Sequence, residues 1–202
     1  MTAFPAWWAF CQRPENDGQP LHDDPGDPGG ATCWGFTFAT WRADAPRLGL
    51  DPTFATFRGL TQARIAPVAR AFCWNAILAE LMPEPVAAIW ADFNFTSGGG
   101  TACSQRVLQV EPGVVRAGLR VEPDGVVGTE QTIPAIAAAW ADDPPGLLDR
   151  LTAARIAYYA SLGMAEFLRG WTRRANDGLA LARILAAARE PRIAPAAAVR
   201  GG

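Results

Sequence analysis

The spacing of apolar residues indicates that most of this chain is helical. Phe4, Trp7, Trp8 and Cys11 recur at three- and four-residue intervals, and Pro5 stands where the first turn of a helix tolerates proline. Similar apolar stripes predict helices over residues 61–80, 86–93, 101–109, 133–140, 148–162 and 164–171, and a turn-type sequence at 176–178 is a candidate interruption of the last one. The stripe at 86–93 is typical of a buried central helix.

Other segments break the helical pattern. From Ala31 to Trp41 the residues alternate with a period of two, which predicts a short strand or hairpin. Residues 97–100 and 111–128 are rich in Gly or Pro and predict loops. We therefore predict a mainly α (α+β) fold, a helical bundle with a small β-hairpin.

The length of 202 residues suits one well-packed domain, or one domain with a small appendage. We predict a first region over residues 1–110, a second helical region over 111–190 that packs on it, and a disordered Pro/Ala/Gly-rich tail over 191–202. Half of the residues are apolar and 8 are Trp, so the side chains for a sizeable core are present.

Charge and hydropathy argue against two kinds of partner. The formal net charge of −2 argues against a nucleic acid held by phosphate contacts. No apolar run approaches the length of a membrane span, and the N-terminus lacks the basic start and clean apolar core of a signal peptide. We therefore expect no stable membrane insertion and a product that is soluble and cytoplasmic as synthesised.

The cysteines predict neither a metal site nor a thiol nucleophile. Cys11, Cys33, Cys73 and Cys103 form no CxxC pair, and His22 is the only histidine, so a zinc site is not expected. A thiol protease would also need a third, orienting group, and the sequence marks none. We expect four buried, apolar thiols and no metal or organic cofactor.

The candidate chemistry lies in a polar segment before the predicted hairpin. It contains Glu15-Asn16-Asp17-Gly18 and then Asp24-Pro25-Gly26-Asp27-Pro28-Gly29-Gly30-Ala31-Thr32. Cleavage of a sugar bond needs one carboxyl held protonated and a second group that holds a water. Pro and Gly restrict the loop, so that an aspartate and a threonine can be aimed. By residue type alone, a plain surface turn is the commoner interpretation.

Glu15 is the candidate general acid of this segment. It follows Cys11 by four residues, so a continuing helix would place its carboxyl on the same apolar face, whereas Pro14 is expected to end or kink the helix just before it. In either case the carboxyl lies at a helix C-terminus among aromatic residues. Burial and the negative end of the helix dipole both raise the pKa of a carboxyl, as a general acid requires.

These motifs resemble glycoside hydrolase family 108, the phage-type lysozymes. Their pattern runs Glu-Gly-Gly and then Asp-Pro-x-Asp-Pro-Gly-Gly-x-Thr-x-x-Gly-Ile, and the matching positions here are Glu15, Asp24-Pro25, Asp27-Pro28-Gly29-Gly30, Thr32, Gly35 and Phe36. Later motifs follow in the family's order: Phe72-Cys73-Trp74, Asp92-Phe93 with Ser97-Gly98, Leu108-Gln109, and Asp124-Gly125-Val126-Val127-Gly128. The resemblance covers Trp7 to about Trp171.

The resemblance implies a lysozyme-like fold with the hairpin beside the active site. Residues 1–110 would be the catalytic region and 111–190 a peptidoglycan-binding-like region that includes the Asp124-Gly125 turn. The implied reaction is hydrolysis of the bond between N-acetylmuramic acid and N-acetylglucosamine in peptidoglycan. The partner is therefore peptidoglycan, and a monomer is expected.

The resemblance also implies roles for individual residues. Glu15 would be the general acid, and Asp27 and Thr32 would hold the attacking water or stabilise the oxocarbenium-like transition state. Asp24 is the alternative to Asp27. Asp92 and Ser97 are candidates for lining or supporting the cleft, and a buried structural aspartate is an equally open interpretation of Asp92.

Two further hypotheses and a cellular setting remain open. Asp17-Gly18 does not repeat Glu-Gly-Gly, which allows a non-catalytic wall-binding or virion-associated protein on the same scaffold. In a lytic transglycosylase, Glu15 would act alone. As an endolysin from a phage, prophage or gene-transfer particle, the protein would act in the periplasm or on the cell wall and need a holin or export system.

Three side chains near the end of the chain are expected to be solvated and three to be buried. Arg169, Arg173 and Arg174 form a predicted basic face, which is usually in water. The aromatic side chains of Tyr158, Tyr159 and Trp171 are expected to belong to the core.

Overall fold

The computed structural model describes residues 3–13, 20–23 and 30–189, and within these ranges the chain is mainly helical. The described elements, in chain order, are α1 (Phe4–Cys11), β1 (Thr32–Cys33), β2 (Phe36–Thr37), α2 (Phe38–Asp44), α3 (Phe54–Arg58), α4 (Gln62–Ala69), α5 (Glu84–Thr96), α6 (Gly100–Gln109), α7 (Pro112–Arg116), α8 (Thr132–Asp142), α9 (Pro144–Ser161) and α10 (Ala165–Arg189). The predicted mainly α fold with a small antiparallel hairpin is confirmed.

Helix α5 forms the centre of the core. Every residue from Pro85 to Phe93 is buried, so the helix is enclosed on all sides, as its apolar sequence predicts. Helix α10 packs along α5, α9 lies against α10 and α6, and α1 contacts both α5 and α10. The prediction of a buried central helix is confirmed.

The N-terminal aromatic stripe packs on the C-terminal half of α5. Trp7 is fully buried, and its ring centroid lies 5.7 Å from that of Trp74 and 6.0 Å from that of Phe95. The ring of Trp8 meets Phe95 edge-on at 6.3 Å. Aromatic pairs of this geometry add to the stability that burial provides, so α1 is held firmly against the end of α5.

The predicted helix over residues 61–80 is wrong in its second half. Thr61 does cap α4, since its side chain accepts a hydrogen bond from the Arg64 N–H, and Pro67 lies inside that helix. After Ala69 the chain continues through a π turn and two short 3₁₀ turns. Leu78 has a φ of +53°, a left-handed conformation that ends a right-handed helix whatever the apolar spacing around it.

Three other boundaries differ from the sequence predictions. The strand pattern ends at Thr37, because the side chain of Thr37 accepts a hydrogen bond from the Thr40 N–H and starts α2. The predicted loop over 111–128 contains α7. Helix α10 runs through 176–178 without a break, because Ala175, Gly178 and Ala182 are buried on the side that packs along α5. None of the helices described combines the length and apolar character needed to cross a membrane.

Candidate functional site

A cavity of about 360 Å³ lies between the hairpin and the C-terminal end of α5; we call it the hairpin cavity. Three stretches of chain that are distant in sequence meet there. Its lining combines aromatic rings with small polar side chains and comprises Gly35, Phe36, Thr37, Thr40, Asp44, Phe72, Cys73, Asn94, Phe95, Thr96, Ser97 and Gly98. This mixture is typical of a ligand site, in which apolar surface gives affinity and a few polar groups give orientation.

Thr32 lies on the hairpin beside this cavity. It is the cross-strand partner of Thr37, so the two side chains share one face of the hairpin, and Thr37 lines the cavity. Thr32 is half-buried, and its hydroxyl donates to the Gly30 carbonyl at 3.3 Å. Two backbone hydrogen bonds of 2.7 Å to His22 hold the strand from its other side. Thr32 therefore shares a face of the hairpin with a lining residue of the cavity, and its catalytic role stays a prediction.

Ser97, a candidate for lining or supporting the cleft, lines the cavity at the end of α5, and its role there stays a prediction. It follows the last helical residue in an extended conformation, and its Oγ accepts a hydrogen bond from the Gly99 N–H at 3.3 Å. Gly99 and Gly100 let neighbouring elements come close. A Cβ at Gly99 would lie 2.7 Å from the Tyr158 hydroxyl, and one at Gly100 would lie 2.8 Å from Asn94 Oδ1.

Asp44 also lines the cavity, and sequence reasoning did not select it. Its carboxylate lies 3.1 Å from an Arg47 guanidinium nitrogen. That guanidinium in turn lies over the ring of Phe72, 4.7 Å from the centroid. Asp44 is the last residue of α2 and lies beyond the hairpin predicted for residues 31–41, so no sequence pattern singled it out.

Glu15, Asp24 and Asp27 lie outside the described residues, so their assignments stay predictions. Helix α1 ends at Cys11 and Gln12 is its C-cap. The four-residue helical spacing from Cys11 to Glu15 therefore does not apply. The aromatic ring and the thiol at the end of α1 are nevertheless buried, since Phe10 is 2% exposed and Cys11 is 1% exposed.

Asp92 lies behind the cavity, one helical turn before Thr96. Its side chain is 1% exposed, and each carboxylate oxygen is paired with a guanidinium: Oδ2 with Arg155 at 2.7 Å and Oδ1 with Arg174 at 2.9 Å. Cys11 Sγ lies 3.5 Å from Oδ1. We call Asp92, Arg155, Arg174 and Cys11 the Asp92 cluster.

The electrostatics of this cluster fix its charge states. Burial raises the pKa of Asp92, but the charges and hydrogen bonds of Arg174 and Arg155 outweigh it and hold that pKa at about 2. Burial and the Asp92 charge raise the pKa of the Cys11 thiol well above its ordinary value, so the thiol stays neutral. Asp92 is thus an anion at neutral pH and has no proton to donate, which favours the structural interpretation of this residue.

The prediction of a solvated basic face was wrong for Arg174. Arg169 and Arg173 are exposed, but Arg174 is 5% exposed because it neutralises Asp92. The sequence did contain a signal for Arg155, the other arginine that is paired with Asp92. Arg155 stands four residues from Leu151 and from Tyr159 on a buried stripe of α9, where a charged side chain needs a partner.

A second cavity of about 340 Å³ lies in the C-terminal half of the chain; we call it the Gln105 cavity. Gln105 is buried at its base; its amide nitrogen donates to Asp124 Oδ1 and to the Val126 carbonyl, and its oxygen accepts from the Gly125 N–H. The Val126 N–H and Gln105 lower the pKa of Asp124. The predicted Asp124-Gly125 turn therefore lines a formed cavity, together with Glu122, Val126, Gly128, Thr129, Glu130, Gln131 and Thr132.

Comparisons with known proteins assign both halves of the chain. Residues 15–98 match the family model described as Glycosyl hydrolase 108. Residues 100–176 match the model described as Predicted Peptidoglycan domain. The solved structure of Brucella abortus SagA is similar, with 27% sequence identity, a TM-score of 0.69, and coverage of 91% of this chain and 92% of that one. The search of curated proteins found no match.

The sequence motifs, the mainly α fold and the two family models agree. The hairpin cavity lies in the first matched segment and the Gln105 cavity in the second. Together these findings support a lysozyme-like function related to peptidoglycan. Residues 15–98 thus belong to the glycosyl hydrolase 108 family, and a peptidoglycan domain follows them over residues 100–176.

Proposed function

We propose that this protein is a lysozyme-type hydrolase that cleaves the bond between N-acetylmuramic acid and N-acetylglucosamine in peptidoglycan. The observation that carries the proposal is the hairpin cavity beside Thr32, in the segment that matches glycosyl hydrolase 108. The rings of Phe36, Phe72 and Phe95 offer apolar surface to a sugar ring. The side chains of Asp44 and Asn94 can exchange hydrogen bonds with its hydroxyl and acetamido groups.

The proposed chemistry uses the segment between α1 and the hairpin. Glu15 donates its proton to the leaving oxygen as the glycosidic C–O bond breaks. A water held by Asp27 and Thr32 adds to the anomeric carbon and gives its proton to the Asp27 carboxylate. Asp24 takes this second role if Asp27 does not. Positive charge develops on the sugar ring in the transition state, so a nearby carboxylate also stabilises it.

We further propose the cellular setting that the sequence suggests. The protein is made in the cytoplasm as a monomer and reaches the periplasm or cell wall through a holin or an export system, as a lysis protein of a phage, prophage or gene-transfer particle would. The second region, 111–190, holds the wall polymer. The Gln105 cavity supports this role, because residues of this region between 122 and 132 line it together with Gln105 of α6.

Digestion of purified peptidoglycan followed by mass spectrometry of the products tests the proposal. A hydrolase gives fragments in which each cleaved bond has gained one water. A lytic transglycosylase gives anhydro ends with no added water, and a wall-binding protein sediments with intact peptidoglycan. Either of the last two results would reject the proposed hydrolase. Glu166→Gln is a suitable control for Glu15→Gln in this assay. Glu166 is an exposed carboxyl in the first turn of α10 and lines neither cavity.

A further inference from the structure

The Asp92 cluster joins the two segments that the family models separate. Asp92 lies in the glycosyl hydrolase segment, whereas Arg155 and Arg174 come from α9 and α10 in the peptidoglycan segment. All three side chains are nearly inaccessible to solvent, with exposed fractions of 1%, 1% and 6%. Buried charges must be paired, so neither segment can keep its half of this cluster in the interior alone.

The cluster reaches the floor of the hairpin cavity through Thr96 and Phe95. Thr96 Oγ1 lies 2.6 Å from the Tyr159 hydroxyl and 3.3 Å from an Arg155 guanidinium nitrogen. The Arg155 Nε–H donates to the same Tyr159 hydroxyl at 2.9 Å. The Arg174 guanidinium lies over the ring of Phe95, 5.4 Å from its centroid. Two of the residues that line the cavity are thus held by side chains of the second segment.

The cluster also fixes the end of helix α1. Arg174 Nη2 lies 3.6 Å from Cys11 Sγ, and its guanidinium lies 5.9 Å from the centroid of the Phe10 ring. Cys11 is the last residue of α1, and the chain continues from there toward the predicted general acid, four residues on. A shift of Arg174 would therefore move both the cavity floor and the exit of α1.

We propose that Arg155, Tyr159 and Arg174 are positioning residues for the hairpin cavity, and that the peptidoglycan segment is consequently part of the catalytic unit. The inference rests on the proposed hydrolase function. These side chains act through Thr96, Phe95 and Cys11 and do not touch the substrate themselves. Because misplacement of a reacting group by about 1 Å can lower a rate on the order of 10²-fold, their loss acts on turnover more than on binding.

Tyr159→Phe in the full chain is the first test. It removes one hydroxyl and keeps the buried ring, so the chain should still fold. We expect kcat on glycan strands to fall about tenfold or more with little change in KM. Amide hydrogen exchange over residues 93–99 should become faster. Tyr158→Phe is the matched control, since it removes the hydroxyl of the adjacent tyrosine, which lies against Gly99 and outside the cluster. Its kcat and exchange should match the parent.

Arg174→Lys is the second test, because it keeps the charge but loses the forked pairing with Asp92. A purely structural role of charge neutralisation predicts parental turnover for this variant, whereas positioning predicts a lower kcat and faster exchange over 93–99. Parental kcat in both folded variants, or exchange that is unchanged in both, overturns the proposal, as does an equal loss in Tyr158→Phe. If the parent itself cleaves no glycan, the proposed function fails, and the exchange measurement alone still decides the positioning role.

Discussion

Replacement of Asp92 by Asn tests the energetic role of the buried cluster directly. The substitution keeps the shape of the side chain and removes its charge, which leaves two guanidiniums buried against a neutral amide. Removal of one partner from a buried ion pair lowers the free energy of unfolding by about 3–5 kcal/mol. For a chain of this length, each kcal/mol corresponds to roughly 2–4 °C in Tm, so we expect a decrease of roughly 6–20 °C.

The pH dependence supplies a second, independent magnitude. The pKa of Asp92 is held at about 2 in the folded protein, below its ordinary value of 3.8, which corresponds to about 2 kcal/mol of stabilisation. Because the folded pKa is lowered, this stabilisation is fully present above pH 4 and is lost as the pH falls toward 2. The difference in unfolding free energy between parent and Asp92→Asn should therefore shrink by about 2 kcal/mol over that range.

Urea denaturation at pH 7, 4 and 2 measures both quantities. Asp149→Asn is the matched control, because Asp149 and Arg183 form an ion pair between the same helices, α9 and α10, with 52% and 59% of their side chains exposed. An exposed pair of this kind contributes about 0–1 kcal/mol. If Asp92→Asn is no less stable than Asp149→Asn, the cluster does not stabilise the fold and the argument from burial is wrong.

Three further predictions concern activity. Glu15→Gln should lower wall hydrolysis about 10²–10⁴-fold with an unchanged or slightly higher Tm, measured by turbidity clearing and calorimetry; clearing at the parental rate would reject Glu15 as the acid. If Asp27 acts through a water, its carboxyl lies about 6.5–9.5 Å from that of Glu15 and NMR of fresh product shows an inverted anomer, whereas a retained anomer would make Asp27 or Asp24 a nucleophile. Cells that express the protein alone should stay intact until their inner membrane is permeabilised, and spontaneous lysis would contradict the proposed need for a holin or an export system.

The helices that the sequence predicted correctly carry an apolar stripe along their length or are buried throughout. Helix α5 is buried on all sides from Pro85 to Phe93, and α1 carries an aromatic stripe, so the local sequence of each helix already indicates the surface that it buries. The boundaries that failed depend on single hydrogen bonds or dihedral angles. The cap at Thr37 and the left-handed Leu78 end their elements against the apolar periodicity.

The buried arginines could not be assigned from local pattern, because their partner is distant in sequence. Asp92 and Arg174 are 82 residues apart, and nothing around Arg174 distinguishes it from exposed Arg173 next to it. The hairpin cavity could not be predicted from local pattern either, because its lining comes from three separate stretches of chain. Family motifs placed Thr32 and Ser97 near it, but Asp44 belongs to none of those motifs.

The charges around the hairpin cavity bear on which carboxyl can act as the acid. Among the described residues, Asp44 is the carboxyl that lines the cavity, and it shares a hydrogen-bonded ion pair with Arg47. Asp92, behind the floor, is paired with two guanidiniums and stays ionised down to about pH 2. Asp92 is therefore not arranged to hold a proton at neutral pH, which a general acid must do. The pairing of Asp92 supports our proposal that the proton comes from Glu15, which follows in sequence the end of α1 that the Asp92 cluster holds in place.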